Sequence, residues 1–324
     1  RGVLYSMQGS GTYIQGALPA LEKQPLRELS HTVTIISTYA DGYIFLRILQ
    51  SMAEYLEKMQ YSVRVLFTSN RLETERRILK KLLEEDCRDP LIVEPVMSGL
   101  PSPNLSYYRE LRKRKIPILF FHSFYPELDI PYVGMDDRQA GKLATEYLIA
   151  QGHTRIGAVF KSDDGQGKRR YQGYLEALYQ ADIEVKEANI CWIDTEQQNN
   201  FTETAERIWR CLTGCSACVC YNDQVAHGLT ISAGEKGIRI PEELSIVGID
   251  NSELARINTV PLTSVTHPME KLGKKAAENI LHLIEDIRYD ANYEFPVGIQ
   301  VRNSVKMIQA DILRDGQEVH QVPG

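Results

Sequence analysis

Residues 32–68 read TVTIISTYADGYIFLRILQSMAEYLEKMQYSVRVLFT. A β-branched run from Thr32 is followed by an amphipathic stretch near 45–59 and by a second β-branched run from Ser62. Strand, helix and strand in this succession make a βαβ unit, with the two strands parallel and the helix crossing one face of the sheet. The unit recurs along the chain. Further strands are read at LIVE from Leu91, ILFFH from Ile118, IGAVF from Ile156, ACVCY from Ala217 and SIVGID from Ser245. Helices are read near 72–85, 107–113, 138–150, 169–179, 202–212, 224–236 and 269–287. Two sets of units are too many for one small sheet. The expected fold is therefore α/β, with two doubly wound parallel-sheet lobes joined near Pro131-Tyr132-Val133.

The 324 residues, 43% of them hydrophobic, are enough for two compact cores. No run of about 18 apolar residues and no secretory leader is visible, so a cytoplasmic protein with no membrane partner is expected. The net charge of −6 has the wrong sign for a surface that wraps nucleic acid. The basic run Arg112-Lys113-Arg114-Lys115 reads as a solvated helix face. Cys211, Cys215, Cys218 and Cys220 crowd one region, but no second cluster completes a usual zinc site. Cys218 and Cys220 alternate inside ACVCY, a pattern of reduced core cysteines. The chain opens with RGVLYSMQGSGTYI, two extended runs around Gly9-Ser10-Gly11, which reads as a β-hairpin. An isolated hairpin is marginal in water, so its packing partner is expected elsewhere.

In open parallel sheets, ligands bind beyond the carboxyl ends of the strands. Those ends carry Tyr39, Asp41, Tyr43 and Phe45 after the first strand and Glu94 after LIV. Asp136 and Lys168 belong to the same candidate set, with Asn222 after ACVCY, Asp250 after SIVGI, and His267 after SVT. Carboxylates, amides and a cation can pair with neighbouring hydroxyls while an aromatic ring covers a C–H face, which suits a sugar or polyol. Each residue also has a plainer role: Asn222 can cap a helix, Asp250 can end its strand in an Asx turn, and the aromatics can be core. A buried Glu94 is costly without a partner. No phosphate-binding loop, dinucleotide fingerprint, zinc-protease helix or nucleophile elbow is present, so no cofactor and no metal is expected.

The stretches YLIAQGHTRIG, CYNDQVAHG, IPEELSIVGID, PLTSVTHP and LGKKAAENI resemble the effector-binding domain of LacI/GalR-type regulators. More narrowly, STYADGYIF, LIVEPVMSGLPSPNLSYY and DDGQGKRRYQGY resemble the arabinose-responsive repressors of Gram-positive bacteria. Those proteins join a GntR-type winged helix to a sugar-binding core of periplasmic-binding-protein-like type, and RGVLYSMQGSGTYI is similar to the end of the wing. The resemblance implies a wing remnant at 1–15, a linker at 16–31 and an effector domain at 32–310, followed by a tail at 311–324. It divides the effector domain into an N-lobe of 32–133 with 268–292 and a C-lobe of 134–267 with 293–310. It also implies a sugar effector, L-arabinose or a similar pentose, in the cleft between lobes, a homodimer, and operator DNA bound through the winged helix. Lys168 would be the sugar-contacting basic residue, where the family often has arginine. Asn222, Asp250 and His267 would meet ligand, Tyr39 to Phe45 would line the pocket, and Glu94 would be a feature of the arabinose type. The residues before Ser30 are expected to lack hydrophobic support. A periplasmic sugar-binding protein and a sugar-acting enzyme are the alternatives to a repressor.

Overall fold

The computed structural model describes residues 4–7, 11–14, 30–39 and 43–308. Strands β1 (Leu4–Met7) and β2 (Gly11–Ile14) pair antiparallel, with Leu4 opposite Ile14 and Met7 opposite Gly11, so the expected hairpin forms. Asp41, residues 16–29 of the expected linker, and the 311–324 tail lie outside the described residues.

Two six-stranded sheets follow. The first uses β3 (Thr32–Ser37), β4 (Ser62–Phe67), β5 (Leu91–Val93), β6 (Ile118–Phe121) and β7 (Tyr132–Met135). Helices α1 (Phe45–Lys58), α2 (Leu72–Glu84) and α3 (Leu105–Lys113) connect them. The second lobe begins with α4 (Asp137–Ala150), β8 (Ile156–Lys161), α5 (Gly165–Gln180), β9 (Ile190–Ile193) and the five-residue α6 (Thr195–Asn199). It continues through α7 (Phe201–Cys211), β10 (Ala217–Cys220), α8 (Asp223–Glu235), β11 (Ser245–Asp250), α9 (Glu253–Ile257) and β12 (Thr263–Thr266). Helix α10 (Met269–Glu285) and β13 (Tyr293–Phe295) return to the first lobe, and β14 (Ile299–Gln300) returns to the second. The strand orders are β13-β7-β6-β5-β3-β4 and β14-β12-β11-β10-β8-β9, parallel throughout except for the β12–β14 pair.

The alternation within each central strand explains why both faces are covered. Val33 and Ile35 point into a core with α1 and α10, whereas Ile36 joins α2 and α3 on the opposite face. In the second lobe Ala158 and Phe160 meet α4 and α5, and Val159 meets α7 and α8. Strands buried on both sides read as unbroken apolar runs, which is the pattern of a parallel sheet. Cys218 and Cys220 are packed in the α7–α8 core with their sulfurs 3.8 Å apart, and the six cysteines are free thiols.

The chain crosses between lobes three times. The N-lobe sheet continues through Met135, past the crossing expected at 133, and also takes Tyr293–Phe295, assigned from the sequence to the other lobe. Strand β13 is a three-residue edge strand, too short to show a period of two. Helices α6 and α9 escaped the sequence reading for the same reason, since five residues do not complete two turns.

Helices α4 and α5 touch through glycines. A Cβ on Gly141 would stand 1.9 Å from the Arg170 carbonyl oxygen, and one on Gly173 would stand 1.9 Å from that of Arg138. The two backbones approach so closely that any side chain must push the helices apart. Gly173→Ala is expected to destabilise the fold by about 1–3 kcal/mol, read as a lower midpoint in urea unfolding.

Candidate functional site

The carboxyl ends of β3, β5 and β6 face those of β8, β10 and β11 across a cleft lined by residues of both lobes. On the N-lobe side Glu94 leaves β5 and is buried. Its Oε2 accepts from Thr38 N at 2.8 Å, Thr38 Oγ1 at 2.6 Å and Ser37 Oγ at 3.1 Å, while Oε1 lies 3.0 Å from His122 Nδ1. Burial pushes the His122 pKa down, but the hydrogen bond and charge of Glu94 outweigh it and hold the imidazole above its ordinary value. Phe45 meets the His122 ring edge-on at 5.5 Å, and Tyr39 tilts against Phe45 at 5.6 Å. A carboxylate and an apolar aromatic surface therefore stand side by side.

The C-lobe side is organised by Arg170, which is 1% exposed. Its Nε donates to Asp137 Oδ1 at 2.8 Å, its Nη1 donates to the Tyr221 carbonyl at 2.6 Å, and its Nη2 lies 3.5 Å from Asp250 Oδ1. The guanidinium also lies 4.8 Å from the centre of the Tyr221 ring. Burial opposes its charge, but the two carboxylates raise its pKa above the usual value. Asp250 ends β11 at φ +111°, a backbone region costly for a side-chain-bearing residue and typical of functional positions. Burial raises its pKa, against the pull of Arg170. Beside this group, Lys161 Nζ lies 3.2 Å from Asp164 and 3.7 Å from Asp163, and Tyr221 Oη donates to Asp164 at 2.5 Å.

The lobes are closed on one another. Tyr43 Oη donates to Asp250 Oδ2 at 2.6 Å, Asn70 Nδ2 to Thr195 Oγ1 at 2.8 Å, and Gly165 N to Ser98 Oγ at 3.0 Å. A Cβ on Gly99 would come within 2.6 Å of the Asp164 backbone, so the N-lobe loop and the start of α5 meet through a glycine.

The cleft brings together Tyr39, Tyr43, Phe45, Glu94, Asn222 and Asp250 from the predicted set. Asn222 does two things, capping α8 by accepting from Val225 N at 3.0 Å and facing the cleft. Three other expectations need correction. Lys168 does not line the cleft with the others: its ammonium donates to the Gly99 carbonyl of the opposite lobe, beside a neighbouring cavity that Ser98, His122 and Gln166 also line. Helical periodicity turns Arg170, two residues later, towards the cleft instead, so a planar guanidinium stands there where a lysine was expected. Asp136 caps α4 by accepting from Gln139 N at 3.0 Å, and its neighbour Asp137 makes the contact with Arg170. His267 lies behind the cleft wall with its ring 5.3 Å from that of His122, and neither of its ring nitrogens has a partner. Burial, with the nearby His122 and Arg170 charges, holds its pKa well below the ordinary value.

Arg170 and Lys161 lie outside the predicted set, although Lys161 directly follows IGAVF at a strand end and Arg170 stands in Lys168-Arg169-Arg170. The RRYQG stretch contains an arginine three residues before the close-packing Gly173, a signal that spacing along the helix could have supplied. His122 ends ILFFH, so the strand-end rule points to it as well, whereas Gln166 has no such signal.

With this geometry in place, known proteins were compared. A family model for a periplasmic binding protein-like domain matches residues 145–305. An arabinose metabolism transcriptional repressor of Halalkalibacterium halodurans is 35% identical over 294 residues, covering 89% of this chain and 77% of that protein. One of the same description from Geobacillus stearothermophilus is 34% identical over 317 residues, covering 95% and 84%. This chain belongs to the family of the arabinose metabolism transcriptional repressors. It is thus a transcriptional regulator and not an enzyme. Among solved structures, the regulator CelR in complex with cellobiose superposes with a TM-score of 0.75 at 21% identity, covering 86% of this chain and 85% of that one. CcpA of Lactococcus lactis superposes with a TM-score of 0.73 at 24% identity, covering 85% and 100%. At these identities the likeness establishes the two-lobe fold of the regulator.

Behind the binding wall, Asp223 accepts from Ser252 N at 2.7 Å, Ser252 Oγ at 2.9 Å and Ser264 Oγ at 2.6 Å, pinning the loop that follows Asp250. Burial, and then the charge of Asp250, pushes its pKa up to about 7. A carboxyl raised in the folded state contributes stability that is complete below its unfolded value and is lost as pH rises through the folded value. Between about pH 4 and 7 the wild type should therefore lose this contribution with rising pH. Thermal unfolding of Asp223→Asn across that range is expected to show a shallower pH dependence than wild type.

Proposed function

We propose that the closed cleft binds a neutral, hydroxyl-rich small molecule, L-arabinose or a similar pentose, and that the regulator uses this binding to release its operator. The observation that carries the reading is that the charges facing the cleft are already matched inside the protein. Glu94 is met by His122, Lys161 by Asp163 and Asp164, and Arg170 by Asp137 and Asp250. An ionic ligand would find no unmatched charge among these residues and would have to break a buried pair. A neutral polyol can add hydrogen bonds to the spare lone pairs of the carboxylates, while Tyr39 and Phe45 cover a C–H face. The closed cavity is small, about 70 Å³, which at roughly 10–15 Å³ per water-sized group holds about five to seven.

The names of the relatives support arabinose among the pentoses. Operator DNA is assigned to a winged helix, since the hairpin of β1 and β2 resembles the wing and the net charge of −6 disfavours DNA contact by the sensing lobes. The working form is a cytoplasmic homodimer in which the sugar binds the closed arrangement more tightly, because only a difference in affinity shifts an equilibrium. A coupling of about 1–3 kcal/mol per site is the usual scale.

Calorimetric titration with L-arabinose, D-xylose, D-ribose and D-galactose tests the reading. Saturable binding selective for L-arabinose is expected, weakened about 10- to 100-fold in Asp250→Ala, the scale of one or two hydrogen bonds to a charged group. Silence with all four sugars would sink the pentose assignment.

A further inference from the structure

One wall of the cleft carries an unfinished hydrogen-bond network. Gln198 Nε2 donates to Gln224 Oε1 at 2.8 Å, and Asn222 Nδ2 approaches the same oxygen at 3.4 Å. All three side chains line the cleft. Gln224 Oε1 thus serves two amide donors, whereas Gln198 Oε1 is buried with no hydrogen-bond partner among the described residues. Exchanging the oxygen and nitrogen of the Gln198 amide does not remove the problem, because it replaces an unmet acceptor by an unmet donor. A buried amide oxygen without a hydrogen bond is costly, and such an atom in a native protein calls for a partner, a water or a ligand group.

The residue is also held firmly. It lies on α6, whose start is fixed by a capping box: Asp194 Oδ1 accepts from Gln197 N at 2.8 Å and Gln197 Oε1 accepts from Asp194 N at 3.1 Å. Arg207 donates to the same Gln197 oxygen at 2.8 Å. Thr195, at the first position of α6, is bonded both to Asp163 beneath it and to Asn70 of the opposite lobe. A glutamine has three side-chain torsions to fix, so anchoring the start of its helix and its own amide on Gln224 lowers the entropy that ordering it costs on ligand binding.

We propose that Gln198 is a specificity-determining residue, its Oε1 accepting a hydrogen bond from one particular hydroxyl of the bound sugar. The inference rests on the sugar reading above and adds which side chain distinguishes one polyol from another. It also gives closure a part in selectivity, since the Asn70–Thr195 bond that steadies α6 exists only with the lobes together. Discrimination follows from the penalty of leaving the oxygen unpaired: a ligand lacking that hydroxyl restores the orphan of the empty cleft.

The experiment titrates the chain with L-arabinose and with the four analogues of its pyranose form that each lack one hydroxyl. In the wild type, one analogue is expected to suffer a deficit of about 10- to 100-fold that Gln198→Met removes, while Gln198→Glu, which keeps an acceptor oxygen, retains the pattern. Thermal melting checks that both variants fold. If Gln198→Met binds the sugar and its analogues in the same affinity ratios as wild type, the assignment of Gln198 is overturned and the pentose reading stands. If the wild type binds no sugar at all, the pentose reading is overturned and Gln198 falls with it.

Discussion

The cleft depends on a guanidinium that has given up its water. Removing the Arg170 charge from solvent costs several kcal/mol even after relaxation, and the surroundings return that energy only through Asp137, Asp250, the Tyr221 carbonyl and the Tyr221 ring together. Each of these partners comes from a different place: the first turn of α4, the end of β11, and the end of β10. To bring them within reach, α5 must lie hard against α4, which is what the facing glycines permit. The orientation of Asp250, and with it the hydroxyl of Tyr43 from the other lobe, follows from this centre. Arg170 is therefore structural and electrostatic at once, holding a carboxylate at a fixed angle where a ligand can meet it.

Cross-lobe contacts give closure a polar character. Neutral hydrogen bonds such as Asn70–Thr195 contribute about 1 kcal/mol each in net terms, and those to a carboxylate such as Tyr43–Asp250 about 1.5–3 kcal/mol, so the lobes are held together by a few modest contacts. Glu94 and His122 supply the opposite wall, and the Phe45, His122 and His267 rings run in contact from the cleft towards the crossing strand that leads into α10. The segment between β12 and α10, where the chain crosses lobes, is thus packed directly on residues of the cleft wall.

The α/β class and the two-lobe plan were legible because β-branched runs and amphipathic runs alternate at regular spacing, and parallel strands buried on both faces announce themselves as apolar. Edge elements were not legible: β13 depends on β7 for its pairing and carries no pattern of its own. Strand ends located most of the cleft, since Glu94, Asn222 and Asp250 stand where sheet topology puts ligand contacts. The misses at Lys168 and Asp136 are both displacements by one or two residues along a helix start. One residue turns a side chain about 100° around a helix, so a motif that places the right turn can still name the wrong neighbour. Arg170 was hidden inside a run of three cations because charge alone does not reveal which one is buried.

The three crossings between lobes bear on how the chain is made. The face of the first sheet that α1 begins to cover is completed only by α10, and its outer strand β13 is later still. A ribosome therefore releases the N-lobe strands long before their last covering elements exist, leaving part of the core open while the second lobe is being synthesised. Exposed apolar surface and an unpaired strand edge are the features that draw chaperones and aggregation partners. The discontinuity thus makes the first lobe depend on elements translated only after the second lobe.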